Sequence, residues 1–269
     1  MKTPLKNRIA SFIMSIILSI SFISGAFADD YTAQTMKLLR YEGNLEILDP
    51  NGDPRFVMEN VRFNSGETMI TGENSLASVS LDDTKIVTLN QNSRVQFIQN
   101  DSHFLLKLQE GELILDVAKK LDENQSLDIQ TSTMTVGIRG TIVGVSDYEA
   151  FDDLNSEEIR KRVSYLWVLS GIAKIEYTDE DGLRLTFDVP AGSYVVTVDL
   201  DGDGLVDIPP EVQEVLPENL PLMYLLYLLS DSDALQRVLQ DTGLSASDLF
   251  NALGIGVPSP ENAPTSTED

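Results

Sequence analysis

The sequence predicts a mostly β protein with a small helical extension at its C-terminal end. Between residues 44 and 198, short runs rich in Val, Ile, Leu and Thr alternate with Gly, Asn or Asp turns, at spacings of about 8–12 residues. After residue 209 the apolar residues take helical spacing. Because the strands follow no strict repeat period, we expect a sandwich, a roll or an irregular solenoid.

The first 28 residues have the three parts of a secretory signal peptide. Basic residues precede the apolar run Ile9–Phe22, and Gly25-Ala26-Phe27-Ala28 follows it. This pattern predicts cleavage after Ala28 and an extracytoplasmic protein that is secreted, periplasmic or held at the cell surface. An uncleaved membrane anchor is the alternative, because the run approaches the spanning length of about 20 residues.

The composition favours a protein, polymer or cation partner over nucleic acid. The chain has 43 acidic and 19 basic residues, and its net charge is −24. Such a surface repels nucleic acid and anionic lipid, whereas it suits divalent cations and basic partners. There is no cysteine, so an apolar core or a bound metal must supply the stability that disulfides give to other exported proteins.

The predicted strands run from residue 44 to residue 198, and we take residues 29–198 as one β domain. His103–Gln109 and Glu112–Val117 are expected to form a hairpin around Glu110-Gly111. Residues 147–162 interrupt the strand pattern, with acids first and Arg160-Lys161-Arg162 last, which predicts a short helix within an insertion. The other strands are predicted at residues 44–48, 55–58, 67–71, 76–81, 85–89, 94–98, 127–145, 163–169, 172–177, 183–189 and 193–198.

Three segments follow the β domain. Residues 199–208 form an Asp-rich loop, residues 209–255 a helical extension, and residues 256–269 a Pro-, Ser- and acid-rich tail that we expect to be disordered. The first apolar stretch of the extension, Leu220–Leu229, is too short to span a bilayer. We expect it to pack on the β domain, although Leu222, Leu225, Leu226 and Leu229 could instead contact a partner.

The most distinctive stretch is Thr131–Val145, where two β-rich runs meet at Gly137-Ile138-Arg139-Gly140-Thr141. The two glycines allow a positive φ or a close approach of another backbone. An arginine between apolar strands should direct its donors onto carbonyls or a carboxylate. We therefore interpret Arg139 as an organiser of packing and hydrogen bonding, with ligand contact as the alternative.

The residue inventory predicts a protein that is not an enzyme. The one histidine, His103, lies in an apolar strand without a nucleophile elbow near it, and no cysteine nucleophile is available. The glycines of the 131–145 stretch fit no phosphate-binding loop. Pairs of carboxylates are frequent in so acidic a chain, so action on surface glycans stays open as an alternative.

The sharpest candidate site is the loop Asp199–Asp207. Asp199, Asp201 and Asp203 hold the first, third and fifth positions of a calcium loop of the EF-hand type, and Gly204 holds the sixth. Leu205 would add a carbonyl and Asp207 a direct or water-bridged ligand. Position twelve is Pro210 instead of glutamate, so the loop is closer to short Asp-rich calcium loops than to a sensor EF-hand. The alternative is a solvated turn.

The strand pattern resembles the FecR domain family over roughly residues 40–197. The most specific match is Thr133–Thr141, with Arg139-Gly140-Thr141 as the distinctive block. Other matching segments are Gly43–Ile47, Gly66–Gly72, Ser75–Asp83, Leu108–Leu113, Ser170–Ile175 and Val189–Gly192. The resemblance implies a FecR-like β sandwich or roll that acts as an extracytoplasmic binding module. It also implies that Gly137, Arg139, Gly140 and Thr141 define the fold.

In the family's regulators, such a domain meets a receptor's signalling domain and relays through a membrane helix to an anti-sigma segment. Only eight residues precede the apolar run here, so we expect no cytoplasmic anti-sigma segment. The first hypothesis is therefore an exported, non-enzymatic module that binds a protein or an envelope polymer. The second is a membrane-tethered sensor in cell-surface signalling, and the third is a glycan-acting enzyme.

Overall fold

The computed structural model describes residues 36–151 and 160–254, and it is mostly β with a small helical extension, as predicted. The predicted signal peptide and the tail lie outside these residues. The strands are β1 (Lys37–Glu42), β2 (Leu45–Leu48), β3 (Pro54–Arg55), β4 (Thr68–Thr71), β5 (Leu76–Asp82), β6 (Lys85–Leu89), β7 (Arg94–Asn100), β8 (His103–Val117), β9 (Ser126–Gln130), β10 (Thr135–Ile138), β11 (Ile142–Phe151), β12 (Arg160–Ser170), β13 (Ile172–Thr178), β14 (Arg184–Pro190), β15 (Ser193–Asp199) and β16 (Gln213–Glu214).

The strands form two sheets that share the long strand β8. The first sheet has the order β1-β5-β6-β8-β11-β12-β15-β16, and the second has the order β14-β13-β10-β9-β8-β7-β4-β2-β3. The N-terminal half of β8 pairs with β7 and β9, and its C-terminal half pairs with β6 and β11. Among the described strands only the β8–β9 pair is parallel.

One apolar core lies between the two sheets. Successive side chains of a strand point to opposite faces, so every second residue of each strand can be buried. Leu106 and Leu108 of β8 belong to this core together with Leu113 and Leu115, on the other side of the strand's bend. Residues from both sheets thus form one continuous cluster of buried side chains, and each sheet covers the apolar face of the other.

The predicted hairpin at Glu110-Gly111 is wrong. Residues 103–117 form one strand of 15 residues, and Gly111 bends it where it passes from the second sheet to the first. Gly111 has a φ of 94°, and an added Cβ would lie 2.5 Å from the Cα of Ser93. A glycine with positive φ occurs at a bend within one strand as well as at the turn of a hairpin, so Glu110-Gly111 did not distinguish these two structures.

The predicted insertion at residues 147–162 is wrong at both of its ends, and residues 152–159, where most of the predicted short helix falls, lie outside the described residues. Asp147–Phe151 and Arg160–Arg162 are strand residues, and they pair with one another in β11 and β12. Asp147 is fully buried and accepts hydrogen bonds from Ser132, Ser164 and Arg162, at 2.7, 3.0 and 2.6 Å for their side-chain donors. The polar residues that interrupted the apolar pattern are therefore members of a buried network.

The helical extension packs on the outer face of the first sheet. It consists of α1 (Leu222–Ser230), α2 (Ser232–Thr242) and α3 (Ala246–Ala252), after a 3₁₀ turn at Pro217–Asn219. Leu225 and Leu228 are buried there in a second apolar cluster, whereas Leu222 and Leu226 are exposed. No helix in the described ranges is long and apolar enough to cross a membrane.

Aromatic and charged contacts fix this extension. The ring of Tyr224 lies over Gly144 in β11 and meets Trp167 edge-on, at 5.4 Å between centroids. Arg237 of α2 forms an ion pair with Asp116 of β8 at 2.6 Å, and Tyr227 donates a hydrogen bond to the same carboxylate. The prediction that the apolar stretch packs on the β part is thereby confirmed for the described helices.

Candidate functional site

The Arg139-Gly140-Thr141 block lies at a corner where the chain changes sheets. It connects β10 of the second sheet with β11 of the first. Gly140 has a φ of 102°, and an added Cβ would lie 2.7 Å from the Cα of Lys120. Both the conformation and the close approach that the sequence allowed therefore occur at Gly140, whereas Gly137 has no positive φ.

A second corner packs against the first one. Gly171 connects β12 of the first sheet with β13 of the second, with a φ of 76°. A Cβ added there would meet the carbonyl oxygen of Gly140 and the Cγ2 of Thr141, each at 2.8 Å. Thr141 is almost fully buried between the corners. The two corners thus pack tightly against each other, and neither Gly140 nor Gly171 has room for a larger side chain.

These corners form one end of a cavity of about 830 Å³, which we call the corner groove. One wall is the connection from β8 to β9, residues 120–125, and the floor is the outer face of the second sheet. Across this floor Asp128, Gly137, Lys174 and Asp188 lie in one row on β9, β10, β13 and β14. Gly137 leaves a gap in that row, and this gap deepens the groove.

Arg139 lies at the rim of the groove. The expectation that its donors bind carbonyls or a carboxylate is wrong, because its side chain is exposed and makes no hydrogen bond or ion pair with any described residue. The reason is that Gly140 turns the chain only after Arg139, so this side chain stays on the outer face of the second sheet. The guanidinium is therefore available to a ligand, which was the alternative interpretation.

The groove carries charges of both signs. Lys120, Arg139 and Lys174 supply cations in a strongly acidic protein, and Asp122, Glu123, Asp128 and Asp188 supply anions. Burial raises the pKa of Asp128, and Glu176 raises it further, whereas His103 lowers it. Such a surface suits a ligand that offers both donors and acceptors, as a peptide or a substituted polymer does.

Sequence reasoning missed one pair beside this groove. His103 on β8 and Ser126 on β9 lie opposite each other, with the histidine Nδ1 2.7 Å from the serine Oγ. No described carboxylate forms a hydrogen bond with His103, so the pair lacks the third member of a nucleophilic triad. The parallel β8–β9 pairing that brings these residues together has no local sequence signal.

The structure brings together three of the four predicted carboxylate ligands of the Asp-rich loop. One carboxylate oxygen of each of Asp199, Asp201 and Asp207 lies within 4.8 Å of the others. Asp203 lies outside this group, and its side chain accepts a hydrogen bond from the backbone N–H of Leu205 at 2.8 Å. Asp199 is buried and accepts from the N–H groups of Gly202 and Gly204, at 2.6 and 2.8 Å.

The carboxylates of the loop repel one another. The backbone N–H of Asp203 lowers the pKa of Asp201, but desolvation and the charges of Asp203, Asp207 and Asp199 together raise it above its ordinary value. A raised carboxyl pKa in the folded state means that the loop is destabilised as pH rises through that pKa. A bound cation would relieve this repulsion.

The same loop ties two parts of the sandwich together. The N–H of Val206 donates to the carbonyl of Thr178 at the end of β13, and the N–H of Asp207 donates to Val198 of β15, at 2.8 and 2.9 Å. Since β13 belongs to the second sheet and β15 to the first, the loop clamps the two sheets at this end. Stiffening the loop would therefore stiffen the clamp.

The mostly β fold and the corner motif are similar to a FecR domain over part of the chain. The family model described as FecR protein matches residues 67–174, which confirms the predicted resemblance over that segment. The match includes Gly137, Arg139, Gly140 and Thr141 and ends at Lys174 on the groove floor. The Asp-rich loop and the helices lie beyond it.

Solved structures with similarity to this chain include two described as a "putative anti-sigma factor from Parabacteroides distasonis". The first is 14% identical, with a TM-score of 0.41, over 55% of this chain and 59% of that chain. The second is 13% identical, with a TM-score of 0.43, over 69% of this chain and 89% of that chain. The chain thus spans 59% of the length of the first. A comparison with curated proteins found no match.

Proposed function

We propose that the protein is an exported, non-enzymatic FecR-like binding protein of the bacterial envelope or exterior. It recognises a protein or an envelope polymer through the corner groove. The observation that carries the proposal is that the groove is lined by residues of the FecR motif and has at its rim the exposed Arg139, which pairs with no described residue. A concave site with a few convergent polar groups is the usual form of a binding site.

The groove also supports binding better than catalysis. Its cations Lys120 and Lys174 are exposed and stand on different elements, where they can contact separated groups of one ligand. The nearest nucleophile and base, Ser126 and His103, form a pair without an orienting carboxylate. Recognition without turnover is therefore the function that this geometry favours.

A membrane-tethered sensor of cell-surface signalling is the second candidate. It is favoured by the match to the FecR family model and requires that the N-terminal apolar segment be retained. The same groove would then bind the signalling partner. Mass determination of the purified protein separates the two candidates, since cleavage after Ala28 removes the tether.

Filling the groove or reversing the charge at its rim should weaken recognition without unfolding the protein. A Cβ at Gly137 would be 3.5 Å from the Asp128 carboxylate and 3.7 Å from the Lys174 carbonyl, which is ordinary contact. We expect Gly137→Val and Arg139→Glu each to reduce crosslinked capture of the native envelope ligand at least about tenfold, the equivalent of about 1.4 kcal/mol. The control is Thr135→Val, on the same face of β10.

Equal capture by Gly137→Val, Arg139→Glu and the control would place recognition outside the groove. Capture of a membrane receptor or an anti-sigma protein that depends on Arg139 would favour the sensor. Motif-dependent capture of a wall polymer or a surface protein would favour the exported binding module. Thermal unfolding of each variant ensures that a loss of capture is not a loss of fold.

We further propose that the Asp-rich loop binds Ca²⁺. The proposal is supported by the three convergent carboxylates of Asp199, Asp201 and Asp207, because Ca²⁺ prefers several oxygen ligands including carboxylates. The carbonyl of Leu205 and the carboxylate of Asp203 are the further ligands predicted from the sequence. Binding would hold β13 and β15 together through the clamp described above.

Calcium should raise the melting temperature of the protein. With a Kd of about 0.1 mM, within the range of extracellular modules, about 10 mM Ca²⁺ adds about 2.7 kcal/mol to the free energy of unfolding. Asp201→Asn should remove this response and should not destabilise the calcium-free protein, since it relieves the repulsion that raises the pKa of Asp201. Asp181→Asn, in a neighbouring exposed turn, is the control. A melting temperature that changes with neither Ca²⁺ nor chelator would contradict the proposed calcium site.

A further inference from the structure

The outermost strand of the second sheet, β14 (Arg184–Pro190), is paired on one side only. Its partner is β13, and no described strand lies along its other side. Such an edge presents a row of N–H and C=O groups that can pair with another chain. The Asp-rich loop does not cover it, because the N–H of Val206 bonds to Thr178 on the side of β13 that faces β10.

The hydrogen-bond pattern identifies the open backbone groups of β14. One backbone hydrogen bond lies just beyond each end of the β13–β14 pair, and both bonds join odd-numbered residues. The register of the pair has no shift from one end to the other. In an antiparallel pair the residues bonded to the partner alternate with residues whose N–H and C=O point away. The open groups therefore belong to Arg184, Thr186 and Asp188. The flanking bonds are Asp179 N to Leu183 O at 3.1 Å and Ala191 N to Gly171 O at 2.9 Å.

The two faces of β14 differ in chemistry. Arg184, Thr186 and Asp188 are exposed on the outer face. Leu185 and Phe187 point inward and are only partly buried at the side of the core. A strand added at this edge would cover those two apolar side chains if it carried apolar residues at matching positions.

The strand is complementary to itself when it is paired antiparallel about a two-fold axis through Thr186. In that register Arg184 lies opposite Asp188 of a second copy, and Asp188 lies opposite its Arg184. On the inner face Leu185 lies opposite Phe187 of the second copy, and Phe187 lies opposite Leu185 of the second copy. All the open N–H and C=O groups then form hydrogen-bonded pairs, each of which exchanges two bonds.

We propose that two copies of this chain associate edge to edge through β14 in this register, which extends the second sheet across both molecules. The two-fold symmetry makes each favourable contact occur twice, as in other isologous interfaces. Arg184 forms an ion pair with Glu176 at 3.1 Å and is 74% exposed, so that pair is a weak surface contact that leaves the guanidinium free to reach a second acid.

A cysteine on the symmetry axis tests the register directly. The chain has no cysteine, so Thr186→Cys introduces the only thiol. At a hydrogen-bonded pair the two Cα atoms lie about 5.5 Å apart, which suits a disulfide. We expect Thr186→Cys, purified from cells that express the full chain, to form a disulfide-linked dimer under mild oxidation. The control is Thr178→Cys on β13, which lies away from the axis.

Charge reversal tests the complementarity. Arg184→Asp and Asp188→Arg should each raise the dimer dissociation constant, measured by analytical ultracentrifugation, at least about tenfold. The double variant Arg184→Asp/Asp188→Arg restores opposite charges at both positions and should recover wild-type affinity. Thr186→Pro should also give a monomer, because it removes an open N–H without removing a bond to β13.

Three results would overturn the proposal. The first is a wild-type protein that stays monomeric up to about 100 µM in analytical ultracentrifugation. The second is a dimer whose dissociation constant is unchanged by Thr186→Pro and by both charge reversals. The third is equal cross-linking of Thr186→Cys and Thr178→Cys. A folded state equal to wild type, checked by thermal unfolding, accompanies every variant.

Discussion

Replacing Gly144 by valine should detach the helical extension from the first sheet. A Cβ at this position would lie 2.2 Å from two ring atoms of Tyr224, so the ring must leave its place. Tyr224 is the largest fully buried side chain of the extension and packs against Trp167. We expect a loss of at least about 3 kcal/mol of unfolding free energy, comparable with the removal of a buried aromatic side chain.

The single tryptophan reports this change. Trp167 is 8% exposed beneath α1, so detachment should shift its fluorescence to longer wavelength before the β sandwich unfolds. Tyr224→Ala should give the same shift. Tyr224→Phe is the matched control, because it keeps the ring against Gly144 and Trp167 and removes only the hydroxyl, so the fluorescence should stay that of the wild type. Unchanged fluorescence in Gly144→Val would show that the helices are not held through this contact.

Replacing Gly140 by alanine should destabilise the corner, whereas the same change at Gly137 should not. Gly140 has a φ of 102°, and its Cβ would collide with the backbone of Lys120. Backbone strain and overpacking should together cost about 3 kcal/mol. At Gly137 the backbone is ordinary strand and the nearest atom to a Cβ is 3.5 Å away, so Gly137→Ala should change stability by less than about 1 kcal/mol.

Denaturant unfolding of the two variants measures this difference within one motif. If Gly140→Ala were as stable as Gly137→Ala, the corner would be able to move, and the motif would not define the path of the chain. A destabilised Gly137→Ala would instead indicate that the groove floor is packed more tightly than the distances imply. The two variants thus distinguish Gly140, which the backbone conformation requires, from Gly137, which leaves space in the groove.

Strand positions were predictable where side chains alternate between a wet and a dry face. Ala77, Val79 and Leu81 alternate as expected for β5, and all three are fully buried. The pattern failed where polar residues are buried. Asp147 was read as part of an insertion, but it is the acceptor at the centre of a buried hydrogen-bond network.

The candidate groove was only half predictable. The motif around Arg139 pointed to the right stretch, because glycines beside β-branched residues mark close approaches. The groove itself depends on the meeting of Gly140, Gly171 and Lys120, which lie far apart in the chain. Local periodicity does not predict which strands become neighbours. The exposed position of Arg139 could therefore not be predicted without the order of the strands in the sheets.

The shared strand β8 has a consequence for how the chain folds. Its partners β6 and β7 precede it, but β9 and β11 follow it, so its N-terminal half is fully paired only once β9 is available, and its C-terminal half only once β11 is available. Non-local pairing of this kind folds slowly, and unpaired strands are prone to aggregation in the meantime. During folding, one edge of the C-terminal half of β8 therefore stays open to other strands until β11 pairs with it.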